Sequence, residues 1–156
     1  MNGQRPTIAS LHGIVAAAHP LAAAAGARIL AEGGNAFDAA VAVAAALGVV
    51  EPFMSGIAGS GMATVYPAAE GQVRCLQFRG GVPLGFPVGR YSRREEMYRG
   101  AMPTTAPGTL AGWCAMLELY GSKSLAEVLA PAVRLARDGF PLIAFNVAGI
   151  NNSAKD

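Results

Sequence analysis

Glu32 to Tyr66 reads EGGNAFDAAVAVAAALGVVEPFMSGIAGSGMATVY, and the reading of this stretch decides the fold. It opens on Gly33-Gly34. Asn35 is a good N-cap, and Asp38 stands three residues on, where a carboxylate meets the positive end of a helix. Ala39 to Leu47 is apolar on every side. A helix with no polar face is buried all round, so Asn35 to Leu47 is a core helix with Ala39, Val43 and Ala46 inaccessible. Gly48 offers a left-handed stop, and Glu51-Pro52 ends any helix, because the residue before proline is pushed to extended geometry. Ala58-Gly59-Ser60-Gly61 makes a small-residue turn, and Met62 to Tyr66 reads as a strand.

Upstream, Met1 to Leu11 is a polar lead-in and Gly13 to Ala18 reads as a short buried strand. Pro20 suits the first turn of a helix over Leu21 to Glu32 that Gly33 stops. Gly26 inside it calls for close packing against a neighbour. Downstream, Gln72 to Phe78 pairs with Met62 to Tyr66 around Pro67 to Gly71, a hairpin signal, and Arg79 follows its second strand. Gly80 to Gly89 is too rich in glycine and proline for regular structure. Met102 to Gly108 is a turn, with a helix starting near Thr105 to Pro107. Leu110, Trp113, Cys114, Leu117 and Tyr120 form its apolar face, and Gly121 ends it. Ser124 and Glu127 make a capping box, and Pro131 predicts a kink or a break. Arg134 and Arg137 suit the helix end that Gly139 closes. From Leu142 to Asp156 the pattern is lost. No repeat or interdomain linker is visible.

The chain has 156 residues, 53% hydrophobic and 14% charged, against roughly 25% charged in an ordinary soluble domain. So few charges imply apolar surfaces that another segment or subunit covers. One incomplete domain over 1–156 is the expectation. The net charge of +2 is small, and the cluster of Arg90, Arg93, Arg94 and Arg99 is balanced in part by Glu95 and Glu96. It reads as a solvated loop, which excludes a nucleic-acid partner. No run reaches the roughly 18 apolar residues of a membrane span. Ile14 to Ala27 reads better as a helix N-terminus than as a secretory signal, for only Arg5 precedes it; the compartment is left open, cytoplasmic by default with periplasmic or extracellular as the alternatives. Cys75 and Cys114 lack metal-ligand spacing and read as reduced, buried thiols, with a disulfide between them as the alternative.

GGNAFDAAVAVAAALGVVEP followed by SGIAGSGMATVY resembles the N-terminal part of the large subunit of the γ-glutamyltransferase (glutathione hydrolase) family. The likeness covers His12 to Pro141. Gln77 to Pro83 resembles the family's D-x-R-E-x-A-P turn. Ala106 to Gly112 and Leu129 to Ala132 resemble its V-P-G-T-V-A-G and L-A-P-A segments. The resemblance implies an α/β (α+β) fold, part of the αββα sandwich of the N-terminal nucleophile hydrolases, with helices on a mixed sheet. It implies an enzyme that transfers or hydrolyses γ-glutamyl groups of glutathione-type amides with no cofactor or metal. The nucleophile is the threonine that self-cleavage exposes on a second segment, a partner of this one. The alternatives are an acylase acting on glutaryl or other acyl amides, and a truncated non-catalytic relative.

No catalytic residue is assigned within these 156 residues. The T-T-H nucleophile signature is absent: Thr104-Thr105 is followed by Ala106-Pro107-Gly108 and reads as a turn. His12 and His19 lack a nearby acidic or cysteine partner and read as structural. The resemblance carries one site residue over, Arg79, which binds the substrate α-carboxylate; a guanidinium fork matches a carboxylate with two parallel N–H bonds. Without the resemblance, a surface arginine ending a strand is the simpler reading. The motif's acidic positions are Gln77 and Gly80 here, which opens the question of γ-glutamyl specificity.

Overall fold

The computed structural model describes residues 7–87, 89, 90, 93, 95, 100 and 103–154, with Ser153 as backbone. Arg5, Arg94, Glu96, Arg99 and Met102 lie outside the described residues; Arg90, Arg93 and Glu95 are exposed.

Helix α1 (Pro20–Ala31) starts with proline at its first position, where a missing N–H is not needed. His19 caps it, its Nδ1 accepting the Leu21 N–H at 3.2 Å. Gly33, at φ +82°, ends it. Helix α2 (Ala36–Val50) crosses α1 closely at Gly26, where a Cβ would stand 2.5 Å from Val43 Cγ2. Ala39 and Ala46 are buried as expected. Val43 is half-buried and lines an open groove with Ile14, Val15 and Leu30. Gly48 does not stop α2, which runs on to Val50 and ends before Pro52. A Cβ there would lie 3.4 Å from Gly56 Cα, an ordinary contact.

Gly13 to Ala18 is not a strand among the described residues; it is irregular and Ile14 is exposed. A strand needs a neighbouring edge, and the sheet lies elsewhere. That sheet is the hairpin of β1 (Met62–Val65) and β2 (Arg74–Gln77), antiparallel, with Met62 opposite Gln77 and Val65 opposite Arg74. Ala63, Val65 and Leu76 turn one face to the helical core.

Helix α3 (Thr109–Tyr120) starts later than expected, with Gly108 as its cap. Its buried stripe is Thr109, Gly112, Trp113, Met116 and Leu117, so the helix is turned by about one residue from the expected face. Leu110 and Cys114 are consequently exposed. Cys75 is exposed too, so both thiols are free but neither is buried.

Helix α4 (Leu125–Asp138) carries the Ser124–Glu127 capping box and ends at Gly139 with φ +81°. It runs unbroken through Pro131, which is buried with Val128 and Ala132. Burial of that apolar stripe on α2 offsets the lost backbone bond. Helix α5 (Ala144–Ser153), where no pattern is visible in the sequence, is anchored by Asn146. The Asn146 side chain accepts the Ile143 N–H at 3.2 Å and donates to the Val50 carbonyl at 2.7 Å. Helices packed beside a small antiparallel sheet make the chain α+β.

Candidate functional site

The site forms where the hairpin meets α3. The Phe78 N–H donates to the Gly61 carbonyl at 3.1 Å, extending the strand pairing by one residue. The Gly59 carbonyl accepts from Gly108 N–H at 2.8 Å and Thr109 N–H at 3.1 Å, which ties the start of α3 to the turn before β1. Between them lies an open pocket of about 500 Å³. Its walls are the end of β2, Ala106 to Gly108, and Ala111, Ala115 and Leu119 of α3.

Arg79 is exposed at this pocket and is the only charged residue among the described residues lining it. It makes no hydrogen bond or ion pair with another described residue. Gln77 and Gly80 flank it, so no carboxylate lines the pocket among the described residues. A guanidinium with its donors unengaged beside apolar walls can receive a planar anion through two parallel N–H bonds.

A second polar centre lies at the start of α2 and has a different purpose. Asp38 is fully buried. Its carboxylate accepts from Asn35 N–H at 2.8 Å, Ser122 N–H at 3.0 Å, Ser122 Oγ–H at 2.6 Å and Lys123 N–H at 3.3 Å. Burial pushes its carboxyl up, but the Ser122 hydroxyl and the backbone donors outweigh this and hold it below the usual range. Asn35 adds a donor to the Tyr120 carbonyl at 2.7 Å, and Phe37 stacks on Tyr120 at 4.9 Å. Asn35 and Asp38 thus clasp the α3–α4 connection as well as capping α2.

The other sequence candidates stay apart from the pocket. Thr104 and Thr105 are exposed in the loop before α3, and the pocket wall begins only at Ala106. His12 is exposed, and His19 is 1% exposed with its Nδ1 committed to the cap of α1. Among the described residues no three His, Cys, Asp or Glu side chains gather as metal ligands, and no helix is long and apolar enough to cross a membrane. Sequence reasoning misses Phe78. The visible signal is three glycines, Gly61, Gly108 and Gly112, that prove to surround it.

Known proteins resemble this chain in sequence and fold. The family model described as gamma-glutamyltranspeptidase matches residues 22–154. The acylase ACY 1 proenzyme of Pseudomonas sp. (strain V22) is 40% identical over 156 residues, covering 92% of this chain and 28% of that protein. The glutathione hydrolase proenzyme of Bacillus subtilis (strain 168) is 38% identical over 137 residues, covering 83% of this chain and 23% of that protein. The crystal structure of Helicobacter pylori gamma-glutamyltranspeptidase superposes with a TM-score of 0.86 at 33% identity, covering 96% of this chain and 44% of that one. Cephalosporin acylase from Bacillus halodurans gives 0.84 at 32% identity, covering 99% and 30%. The chain spans about a quarter of the length of these curated relatives.

Proposed function

The chain belongs to the gamma-glutamyltranspeptidase family, and from that premise we propose that it is the N-terminal part of an enzyme acting on γ-glutamyl amides. In this reading residues 1–156 form one incomplete domain. A second segment supplies a threonine whose hydroxyl oxygen bonds to the γ-carbonyl carbon. The amide C–N bond breaks, the hydroxyl proton goes to the leaving amine, and water or an amino acid then takes the acyl group. Arg79 holds the substrate α-carboxylate. The observation that carries the reading is an exposed, unpaired Arg79 at a pocket with no other charge on its wall among the described residues.

Exposed apolar side chains support an incomplete unit. Ile14, Met62 and Leu119 are all more than half exposed. The word proenzyme in the names of both curated relatives supports a segment released by cleavage.

One observation favours a second reading, hydrolysis of glutaryl amides. A γ-glutamyl group carries an ammonium beside its α-carboxylate; a glutaryl group has the same carboxylate and no ammonium. With Gln77 and Gly80 at the motif's acidic positions, no described residue lining the pocket offers the ammonium an opposite charge.

The test extends the protein by the downstream segment of its gene. Mass spectrometry should show cleavage before a threonine, and γ-glutamyl or glutaryl p-nitroanilide should be hydrolysed. The ratio of kcat/KM for the two anilides decides between the readings. An extended protein that stays in one piece and leaves both anilides intact overturns both. The 156-residue chain alone should remain intact and inactive.

A further inference from the structure

Three glycines from two stretches, the turn before β1 and the start of α3, converge on Phe78. A Cβ at Gly61, just before β1, would stand 2.8 Å from Phe78 Cε2. One at Gly108, the cap of α3, would overlap the Phe78 carbonyl oxygen, and one at Gly112, in the first turn of α3, would overlap ring carbon Cγ. The ring tip, the ring base and the backbone of one residue are thus each met by a glycine. Gly112 lies inside a helix, where glycine weakens the helix, so its presence calls for a packing reason. Phe78 is only half-buried and lies outside the buried core. Burial of apolar area is a weak reason to surround it this closely.

The chain just beyond Phe78 supplies a better one. The next residue is Arg79, and the one after, Gly80, is pressed against Ala106, where an added Cβ would lie 3.0 Å from the Ala106 Cβ. The chain is therefore seated on both sides of Arg79. We propose that Phe78, held in its glycine socket, is a positioning residue that fixes the root of Arg79 so that its guanidinium meets a carboxylate in one place. This rests on the reading of Arg79 as the carboxylate receptor. A side chain rooted on a fixed backbone loses less freedom when it binds, and a misplacement of about 1 Å is costly.

The experiment uses the full-length enzyme and whichever of the γ-glutamyl and glutaryl p-nitroanilides it hydrolyses faster. Phe78→Leu should raise KM about tenfold with kcat little changed, the signature of lost ground-state binding. Gly112→Ala should do the same from the other side, displacing the ring while leaving Phe78 and Arg79 chemically intact. In an Arg79→Ala background neither change should raise KM further, because a residue acting through another has no effect once the other is gone. Unchanged KM in both single variants overturns the proposal, and so does an effect that persists in full without Arg79. If Arg79→Ala itself leaves KM unchanged, the reading of Arg79 is what fails. Should Phe78→Leu not fold, Gly112→Ala alone and in the Arg79→Ala background gives the same decision.

Discussion

Asp38 and Arg79 are the charged groups at the two polar centres of this chain, and they are housed in opposite ways. Around Asp38, four donors surround one carboxylate that is fully buried. At Arg79 a guanidinium is exposed at an open pocket with no acceptor among the described residues. A buried charge survives only when its hydrogen bonds are supplied, so the first centre is complete and its role is structural. An exposed cation needs no such supply, and leaving its fork unengaged keeps it available to a ligand. Both residues lie in stretches that resemble motifs of one family, yet one is enclosed by the fold and the other is left exposed at a pocket, where we propose that it meets substrate.

The largest effect on stability that can break this contrast is at Asp38. Asp38→Ala takes the shared acceptor from the part-buried Asn35, Ser122 and Lys123 donors and should lower stability by about 1–3 kcal/mol. A thermal or urea melt checks it. A loss below about 0.5 kcal/mol, the range of ordinary surface changes, would mean that the α3–α4 connection is held by something else.

Arg79 should show the reverse profile. Arg79→Ala should leave the melt within about 0.5 kcal/mol of the parent, since the side chain touches little. In the full-length enzyme it should weaken substrate binding on the order of 1.5–3 kcal/mol, roughly ten- to a hundredfold in KM. Arg79→Lys should fall between, keeping the charge but losing the fork. A melt that drops as far as that of Asp38→Ala would make Arg79 structural and erase the contrast.

A smaller effect lies in pH. The Asp38 carboxyl is held below its unfolded value, so ν, the protons bound, is greater in the unfolded state through that window. Its stabilisation is therefore fully present above about pH 4, the unfolded carboxyl range, and is lost as pH falls through the folded value. The stability gap between the parent and Asp38→Asn should be widest at neutral pH and narrow below about pH 4. A gap that stays flat on acidification would mean that shape, and not charge, holds the junction.

Most of the built region is legible in the sequence, because local rules govern it. The caps at Asn35 and Ser124, the proline start of α1, the Gly33 and Gly139 stops and the hairpin all depend on residues a few positions apart. What escapes depends on distant partners. Helix α5 is anchored by Asn146 on the Val50 carbonyl, 96 residues back. Pro131 reads as a break because the apolar stripe that holds α4 together lies on α2. Val43 reads as inaccessible because an all-apolar helix says nothing about what covers each side. Arg79 is legible only by resemblance. The Phe78 socket shows in the sequence only as glycines whose common target is hidden, since they come from the turn before β1 and from α3.

Gly48 gives the smallest effect and tests where the built region ends. As a left-handed stop it would close α2 early and leave Val49 and Val50 outside. In the structure it is an interior helical residue, its φ is not positive, and Val50 behind it is fully buried and holds Asn146. Interior glycine costs a helix roughly 0.5–1 kcal/mol relative to alanine. A Cβ there would meet Gly56 Cα at 3.4 Å, an ordinary contact. Gly48→Ala should therefore stabilise by up to about 0.5–1 kcal/mol, read as a higher melting midpoint. Gly26→Ala is the control in the same core: its Cβ would come within 2.5 Å of Val43 Cγ2 and 3.3 Å of the Ala39 carbonyl, so it should destabilise. If Gly48→Ala destabilises as Gly26→Ala does, the approach to Gly56 is too tight for a methyl group, and the turn that leads to β1 and the Phe78 socket is set by α2 itself.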